Sequence, residues 1–313
     1  MGKKVCIIIP VKNISPGFDA CIKSVLNLNY NTFEIIIVDD SEKGDLQVPA
    51  DNYNAKIQIF RSYGKGPSCA RNLAVRKTNA DFLAFTDSDC IVDKDWLIEL
   101  LKGFELFPEA AACGGIQKLP GGATSFEKKV FLFMQKAGFI TDYMRQPGKK
   151  NIIAVSHNAS CCVIYKKDIF LEIGGFLEGL WPGEDVELDF RLIRKGYKLI
   201  FNPGAVVYHH RPENLEKFSA MMYRYGEAMG ILTRRYGIFR KIQLLPVLSV
   251  SVIVLFFLAF LSGFLPLFLM AVSTVLCLLF IYVRFNLNTF FLCCLSFVYW
   301  NMGFLKRFIS GRA

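Results

Sequence analysis

The first hundred residues alternate between short apolar runs and longer polar or amphipathic segments. The apolar runs are rich in Ile, Val or Phe and occupy residues 5–9, 33–38, 57–60 and 82–85. Predicted helices lie between or after these runs: residues 19–28 carry apolar residues at helical spacing, residues 67–76 open with a proline, and residues 96–107 are a third candidate. Nearly continuous apolar strands that alternate with helices are typical of a parallel sheet covered on both faces. The pattern therefore predicts an α/β fold with a doubly wound, mainly parallel sheet.

Beyond residue 110 the alternation is less regular. It predicts strands at residues 110–116, 159–165 and 198–201, and a helix at residues 185–195. Residues 126–139 predict an amphipathic helix that carries both Lys and Phe. This segment is either an ordinary surface helix or an interfacial helix beside a membrane-bound substrate.

The C-terminal part of the chain is almost entirely apolar. Residues 242–261 and 265–283 are each long enough to cross a bilayer, and their short connection predicts a transmembrane helical hairpin. Residues 290–305 form a third, shorter apolar helix, which we interpret as re-entrant or interfacial, with a full third span as the alternative. We therefore expect a catalytic domain at residues 1–235 and a membrane domain at residues 236–313.

The charge distribution agrees with attachment to a membrane. The net charge is +10, and the basic excess lies in residues 127–150 and 194–241, close to the apolar tail. Such a distribution suits an anionic lipid surface, whereas no nucleic-acid-binding motif accompanies it. Basic residues flank the predicted hairpin on both sides, which indicates that both flanks are cytoplasmic. Because residues 5–11 are too short for a signal peptide, we expect a multi-pass plasma-membrane protein with a cytoplasmic catalytic domain.

The ten cysteines do not form a C-x-x-C pair. Their spacing does not indicate a zinc site. We interpret them as buried or lipid-facing thiols in a reducing compartment.

Acidic residues follow two of the predicted strands. Asp39-Asp40 and Asp87-Ser88-Asp89 lie at strand carboxyl ends, where open α/β sheets bind their ligands. Two carboxylates separated by one residue can hold a hard divalent ion, which would bridge the two phosphates of a nucleotide sugar. His209 is a candidate for completing the coordination alongside Asp89. The alternative is that these residues begin loops or cap helices.

A second acidic cluster begins the helix predicted near residue 185. Asp185 is our candidate base for the acceptor hydroxyl proton, and Glu184 is a candidate for orienting the acceptor. Asp189 shares a helical face with Asp185. The alternative is a solvated acidic N-terminus that stabilises the helix dipole. Trp181 could stack on an acceptor sugar or anchor a loop, and the guanidinium groups of Arg71 and Arg211 suit phosphate.

Several of these segments resemble family 2 glycosyltransferases in residue type and order. They are Val5-Cys6-Ile7-Ile8-Ile9-Pro10-Val11-Lys12-Asn13, Ile37-Val38-Asp39-Asp40-Ser41, Ala70-Arg71-Asn72, Asp87-Ser88-Asp89, and Gly174-Gly175-Phe176 followed by Glu184-Asp185. The resemblance implies a GT-A fold, a UDP- or GDP-sugar donor, a Mg²⁺ or Mn²⁺ ion, and inversion at the anomeric carbon. The residues expected at the nucleotide are Pro10, Lys12, Asn13, Asp39, Asp40, Arg71, Asp87 and Ser88. The metal ligands expected are Asp89, Asp87 and His209, the catalytic residues Asp185 and Glu184, and the acceptor contacts Trp181, His157 and Arg211.

Within that family, the His209-His210-Arg211 stretch and the apolar tail resemble the succinoglycan glucosyltransferase-like group, which extends lipid-linked oligosaccharides. Processive synthases carry Gln-x-x-Arg-Trp, whereas residues 221–225 here lack both the glutamine and the tryptophan. We therefore expect transfer of one sugar to a polyprenyl-linked saccharide. The alternatives are a polyprenyl-phosphate sugar synthase and a catalytically silent membrane scaffold or nucleotide sensor; two or three spans fit a transporter poorly.

Overall fold

The computed structural model describes residues 2–44, 46, 57–137, 151–284 and 286–311. These residues belong to two compact units. The first unit lies within Met1–Ala123 and Thr141–His210, and the second within Thr124–Ile140 and Arg211–Ala313. All residues of the predicted catalytic and metal sites belong to the first unit.

The described residues of the first unit form one nine-stranded sheet. Its strands are β1 (Val5–Val11), β2 (Phe33–Asp39), β3 (Ile57–Arg61), β4 (Phe82–Phe85), β5 (Cys90–Val92), β6 (Ala110–Lys118), β7 (Ile153–Val155), β8 (Val163–Lys166) and β9 (Lys198–His209). They are arranged in the order β3-β2-β1-β4-β8-β6-β9-β5, and β7 pairs with β9.

The two halves of this sheet differ in strand direction. β1 is parallel to both β2 and β4, and β2 is parallel to β3. β8 is antiparallel to β4 and β6, while β5 and β7 are antiparallel to β9. The prediction of an α/β sheet is confirmed. The sheet is mixed because the strands that follow β4 in the sequence form both parallel and antiparallel pairs.

Helices cover both faces of the sheet. In chain order the α-helices of the residues that the structure describes are α1 (Phe18–Leu26), α2 (Pro67–Val75), α3 (Trp96–Leu106), α4 (Ser125–Ala137), α5 (Lys167–Glu172), α6 (Glu184–Arg194), α7 (Leu215–Tyr236), α8 (Leu245–Leu261), α9 (Leu265–Tyr282) and α10 (Leu287–Ser310). Ile7 and Ile9 of β1 pack with α1 and α3, whereas Cys6 and Ile8 pack with α2 and α6. Because successive strand residues point to opposite faces, a strand buried on both faces has the continuous apolar run seen in the sequence.

One predicted strand is wrong at residues 159–162. We predicted a strand over residues 159–165, but β8 begins at Val163, and Cys162 N–H donates to the Ala159 carbonyl over 3.0 Å in a turn. The segment forms a turn instead of a strand because one of its backbone N–H groups is bonded outside the sheet. Ser160 N–H donates to the Asp185 carboxylate over 3.1 Å.

β9 is longer than the predicted strand at residues 198–201. Its pairing with β6 is interrupted by a bulge, since Gly115 lies opposite Asn202 while the next residue, Ile116, lies opposite Val206. A β-bulge lets a strand continue past an irregular stretch. The continuation brings His209 opposite Cys90 of β5.

The second unit is helical in its described residues. The predicted hairpin corresponds to Lys241–Leu261 and Leu265–Tyr282, and the third apolar stretch to Leu287–Ser310; all three are long and apolar enough to cross a membrane. The share buried is 6% and 0% for the first two and 39% for the third, so α10 also packs within the protein. Residues 126–137 of the predicted amphipathic helix lie in α4, and residues 138–139 lie outside the described residues.

Glycines allow α7 and α10 of the second unit to pack backbone to backbone. A Cβ atom added to Gly226 would lie 2.0 Å from the Trp300 carbonyl oxygen, and one added to Gly303 would lie 2.0 Å from the Tyr223 carbonyl oxygen. Small residues permit such close helix contacts, which are also common in membranes. α10 is thereby attached to a helix outside the apolar hairpin.

Candidate active site

The carboxyl ends of β1, β2 and β4 lie at one edge of the sheet. Asp40 N–H donates to the Val11 carbonyl over 2.7 Å, and Thr86 N–H donates to the Ile8 carbonyl over 3.3 Å. The two predicted acidic clusters therefore follow strands on either side of β1 and share the edge at which α/β sheets bind ligands.

Asp39 and Asp40 are buried and stabilise the loops around this edge. The Asp39 carboxylate accepts hydrogen bonds from Ser41 N–H at 2.9 Å and Leu46 N–H at 3.2 Å. The Asp40 carboxylate accepts from Ser62 Oγ at 2.7 Å and from Gly66 N–H at 3.0 Å. Each carboxylate thus has protein donors, and their contact with a nucleotide stays a prediction.

Arg71 of α2 connects the first acidic cluster with the second. Its Nη2 donates to Asp87 Oδ1 and its Nη1 to Glu184 Oε1, each over 2.8 Å, and the Arg71 side chain is only 3% exposed. Burial alone would lower the pKa of Arg71, but the carboxylates of Asp87 and Glu184 raise it above its ordinary value. A permanently charged guanidinium therefore holds two carboxylates that lie far apart in the sequence.

Asn72, the residue after Arg71, also connects α2 with a distant segment, through its side-chain amide. Its Nδ2 donates to the Phe176 carbonyl over 2.8 Å, while its Oδ1 accepts from Phe176 N–H over 3.0 Å. The turn at Gly175, which has a φ of 70°, is held against α2 by this pair of bonds. The Ala70-Arg71-Asn72 and Gly174-Gly175-Phe176 segments, separate in the sequence, are therefore one structural unit.

Glu184 is the first residue of α6 and is buried, at 3% exposure. Burial, reinforced by the neighbouring charge of Asp185, raises the pKa of Glu184 from 4.5 to about 7, although Arg71 acts in the opposite direction. The ionised form of Glu184 is therefore disfavoured by its surroundings, and the positive charge of Arg71 stabilises it.

Asp185 is more accessible than Glu184, since its side chain is 18% exposed. Its Oδ2 accepts from Ser160 N–H at 3.1 Å, and its Oδ1 from its neighbour Val186 N–H at 2.8 Å. His157 Nε2 lies 4.0 Å from Asp185 Oδ2. A carboxylate held by two backbone donors and still partly open has the orientation and access that a general base requires.

Asp189 and His157 lie behind Asp185. His157 Nδ1 is 2.9 Å from Asp189 Oδ2, and the same carboxylate accepts from Asn158 N–H at 2.7 Å and from Tyr165 Oη at 3.0 Å. Burial raises the pKa of Asp189, even though His157 lowers it. His157 is itself buried, so the structure gives it a contact inside the protein, and its predicted contact with the acceptor stays a prediction.

The pairing of β5 with β9 brings together Asp89 and His209. Asp89 Oδ1 lies 3.7 Å from His209 Nε2, and the two side chains are 50% and 23% exposed. Carboxylate oxygen and imidazole nitrogen at this separation, open to solvent, fit two ligands of one divalent ion. Asp87 uses Oδ1 for Arg71, so the two aspartates of Asp87-Ser88-Asp89 have different environments.

The remaining predicted residues lie at several depths. Lys12 and Asn13 are exposed beyond β1, Pro10 and Ser88 are half-buried, and Trp181 is 55% exposed just before α6. Arg211 belongs to the second unit, where its backbone N–H donates to Glu127 over 3.1 Å. Their roles in binding stay predictions.

Sequence reasoning missed the residues that position Asp185 and Asp189. These are Asn158, Ser160 and Tyr165, which act through backbone N–H groups or a phenol. Gly114 makes room for Asn158, since a Cβ there would lie 2.0 Å from Asn158 Oδ1. The signal available in the sequence was the Asp185 and Asp189 pair on one face of a helix, which needs compensating partners.

A mixed α/β sheet with a partly exposed Asp-x-Asp segment at the edge and an acidic helix beside it defines a GT-A-type glycosyltransferase architecture. The family model "Glycosyl transferase family 2" matches residues 6–174, more than half of the chain. The chain therefore belongs to glycosyltransferase family 2.

Two curated relatives illustrate the sequence similarity. Pre-mycofactocin glycosyltransferase of Mycobacterium tuberculosis is 28% identical over 238 residues, which are 75% of this chain and 48% of the relative. The chain thus spans about half the length of that relative. The dolichyl N-acetyl-alpha-D-glucosaminyl phosphate 3-beta-D-2,3-diacetamido-2,3-dideoxy-beta-D-glucuronosyltransferase of Methanococcus voltae is 23% identical, over 77% of each chain.

A solved structure extends the similarity to the whole fold. The mannosyltransferase PcManGT from Pyrobaculum calidifontis, in complex with GDP-Man and Mn²⁺, has a TM-score of 0.66 at 16% identity and covers 99% of this chain and 88% of that one. GalNAc-T7, solved with UDP, GalNAc and Mn²⁺, has a TM-score of 0.54 and covers 76% of this chain and 52% of that one, at 16% identity. At these identities the similarity shows the fold.

Proposed function

We propose that this chain transfers a single sugar from a nucleotide-diphosphate sugar to a lipid-linked saccharide, with inversion at the anomeric carbon. The observation that carries the proposal is the bridge through Arg71, which links Asp87, beside the Asp89 and His209 pair, to Glu184, beside Asp185. One charged side chain thus couples the groups suited to the donor with those suited to the acceptor.

The proposed site for the sugar donor is based on Asp87-Ser88-Asp89 and His209. Asp89 and His209 would hold Mg²⁺ or Mn²⁺, which supplies positive charge to the departing diphosphate. Asp39, Asp40 and Arg71 would line the nucleotide pocket, as the family resemblance implies. The solved GT-A neighbours bind UDP or GDP-Man together with Mn²⁺, which supports this assignment.

The acceptor side rests on Asp185. In the proposed reaction its carboxylate takes the proton of the attacking hydroxyl, while the oxygen of that hydroxyl bonds to the anomeric carbon and the nucleoside diphosphate leaves from the opposite face. Such in-line displacement inverts the configuration. His157 and Asp189 would position the base, and Trp181 would stack on the acceptor sugar.

Membrane attachment favours a lipid-linked acceptor. Three helices of the second unit are long and apolar enough to cross a membrane, and the Methanococcus voltae relative is named for a dolichyl-linked substrate. We propose a membrane domain at residues 236–313, a cytoplasmic catalytic domain at residues 1–235 in the plasma membrane, and a place in the succinoglycan glucosyltransferase-like group.

A donor screen tests the proposal. The detergent-solubilised full chain would be incubated with UDP-, GDP- and dTDP-sugars and Mg²⁺ or Mn²⁺, with either a polyprenyl diphosphate saccharide or a polyprenyl phosphate as acceptor. We expect transfer of one sugar to the saccharide, with opposite anomeric configuration by NMR. Absence of binding and turnover with every donor would contradict the proposal.

Asp185→Asn separates the two acceptor classes. A hydroxyl acceptor needs its proton removed, so we expect kcat to fall on the order of 1000-fold. A phosphate acceptor is already ionised and needs little help from a base. Transfer to polyprenyl phosphate with nearly normal kcat in this variant would instead support the polyprenyl-phosphate sugar synthase.

A further inference from the structure

Two buried cysteines lie against the Asp89 and His209 pair. The sulfur atoms of Cys90 and Cys161 and a ring nitrogen of His209 all lie within 4.8 Å of one another. Cys90 Sγ is 3.9 Å from Asp89 Oδ1, and His209 Nε2 is 3.7 Å from the same oxygen. The two sulfur atoms and the imidazole nitrogen therefore surround one small volume, and the Asp89 carboxylate oxygen lies beside Cys90 and His209.

This ligand set suits a soft ion better than Mg²⁺ or Mn²⁺. Thiolate sulfur favours Zn²⁺ and similar ions, and a tetrahedral Zn²⁺ site holds its sulfur and nitrogen ligands about 2.0–2.3 Å from the metal, hence roughly 3.3–3.8 Å from one another. Because the three atoms lie within 4.8 Å of one another, reaching these separations requires each distance to shorten by no more than about 1.5 Å.

The surroundings of His209 also fit a metal ligand. Its Nδ1 lies 3.5 Å from Gln117 Oε1, so Nε2 is the nitrogen that faces Asp89. Metal-bound imidazoles usually have such a partner on the second nitrogen. Both thiols are buried, whereas the Asp89 side chain is half exposed to solvent.

We propose that Cys90, Cys161, His209 and Asp89 form a site for a soft divalent ion such as Zn²⁺, which excludes Mg²⁺ or Mn²⁺ from the donor side of the active site. Zn²⁺ occupation takes Asp89 and His209 into a tetrahedral, thiolate-bound site and inhibits transfer. The inhibition rests on the proposed function, whereas the binding of the ion does not.

Cobalt spectroscopy tests the binding directly. The reduced full chain in detergent would be titrated with Co²⁺ alone, which reports thiolate coordination through a sulfur-to-cobalt charge-transfer band and tetrahedral geometry through intense visible bands. We expect both signals at one Co²⁺ per chain, displaced by Zn²⁺. A wild-type complex without the charge-transfer band would overturn the proposal, whether or not the protein transfers sugar.

Variants assign the sulfur ligands. Cys161→Ser should lose most of the charge-transfer band. If Cys161→Ser does not fold, Cys90→Ala is measured in its place, with the same expected loss. The matched control is Cys162→Ser, because Cys162 is equally buried but accepts a hydrogen bond from Trp96 Nε1 over 3.4 Å. An unchanged band in both Cys161→Ser and Cys90→Ala would overturn the assignment.

Inhibition of Mn²⁺-supported transfer is the second measurement. Each protein is compared with its own rate without Zn²⁺, and we expect Cys161→Ser to need at least about tenfold more Zn²⁺ for half-inhibition than wild type, which is about 1.4 kcal/mol. Equal inhibition of both proteins would overturn the competitive role. A thiolate band in a protein that transfers nothing would contradict only the proposed function.

Discussion

The two acidic clusters of the first unit compensate their negative charges in different ways. Asp89 is half exposed, and its Oδ1 lies 3.7 Å from His209 Nε2 and 3.9 Å from Cys90 Sγ, whereas Asp189 is fully buried and accepts hydrogen bonds from Asn158 N–H and Tyr165 Oη beside His157. The first arrangement leaves coordination capacity for a ligand, and the second uses it within the protein. The two aspartates therefore differ in access: Asp89 is open to solvent at the sheet edge, and Asp189 is enclosed by partners within the protein.

Substitution of Asp89 should give the largest loss of activity. Asp89→Asn removes the charge that would hold the ion, so we expect kcat/KM to fall about 1000-fold, equivalent to about 4 kcal/mol. Thermal stability should change little, because the side chain is half exposed. The measurement is Mn²⁺-dependent transfer together with a thermal melt.

The control for Asp89→Asn is Asp19→Asn, which removes an exposed carboxylate from α1 that pairs with Lys23. Its activity should equal that of wild type. If the two variants retain similar activity, the donor-side role of Asp89 is wrong.

Substitution of Asp189 should show the opposite profile. Asp189→Ala leaves His157, Asn158 N–H and Tyr165 Oη without their shared acceptor, and we expect an unfolding free energy lower by about 3 kcal/mol. Chemical unfolding in detergent measures this loss. A variant as stable as wild type but inactive would show that Asp189 acts in chemistry, not in positioning.

The pH dependence of stability tests the burial of Glu184. Its pKa, raised from 4.5 to about 7, means that the folded chain keeps a proton that the unfolded chain releases. The stability from this group is thus full below about pH 4.5 and is lost as the pH rises to about 7. We expect the melting temperature of wild type to fall over this range more than that of Glu184→Gln.

Asp189 does not disturb this comparison, because burial raises its pKa in both proteins and its contribution cancels. Parallel pH profiles for wild type and Glu184→Gln would mean that Glu184 is ionised throughout the range.

Trp181 should give the smallest effect. Trp181→Ala removes an exposed ring beside α6, and we expect the acceptor KM to rise up to about tenfold at unchanged kcat, since stacking contributes about 1 kcal/mol. Leu171→Ala, which also removes an exposed apolar side chain, is the control. Equal KM values for the two variants would exclude stacking at Trp181.

The sequence predicted those parts of the fold that depend on local pattern. β1 and β2 are continuous apolar runs because both faces of the sheet are covered, and the start of α6 was recognisable from its acidic residues. The turn at residues 159–162 was missed because its apolar composition resembles a strand. Its conformation depends on Asp185, which lies far along the chain.

Most of the candidate site residues were named from the sequence, and His209 was expected alongside Asp89, but the bridge from Arg71 to Asp87 and Glu184 was not predicted. Whether His209 reaches Asp89 depends on the bulge between β6 and β9 and on the pairing of β5. The cluster of Cys90 and Cys161 likewise arises from strand order, since no sequence spacing relates these residues. Such contacts follow from tertiary structure and leave no local periodicity.

The Arg71 bridge has a consequence for building chimeric enzymes. Exchanging only the segment after Asp89 with that of another family member would replace Glu184 and the residues that position it, while the buried Arg71 and its other contact, Asp87, stay in place. A buried charge deprived of a partner is strongly destabilising. The two acidic clusters of this chain are thus not freely interchangeable modules, and crossover points that keep Arg71 with both of its native carboxylates should produce the folded hybrids.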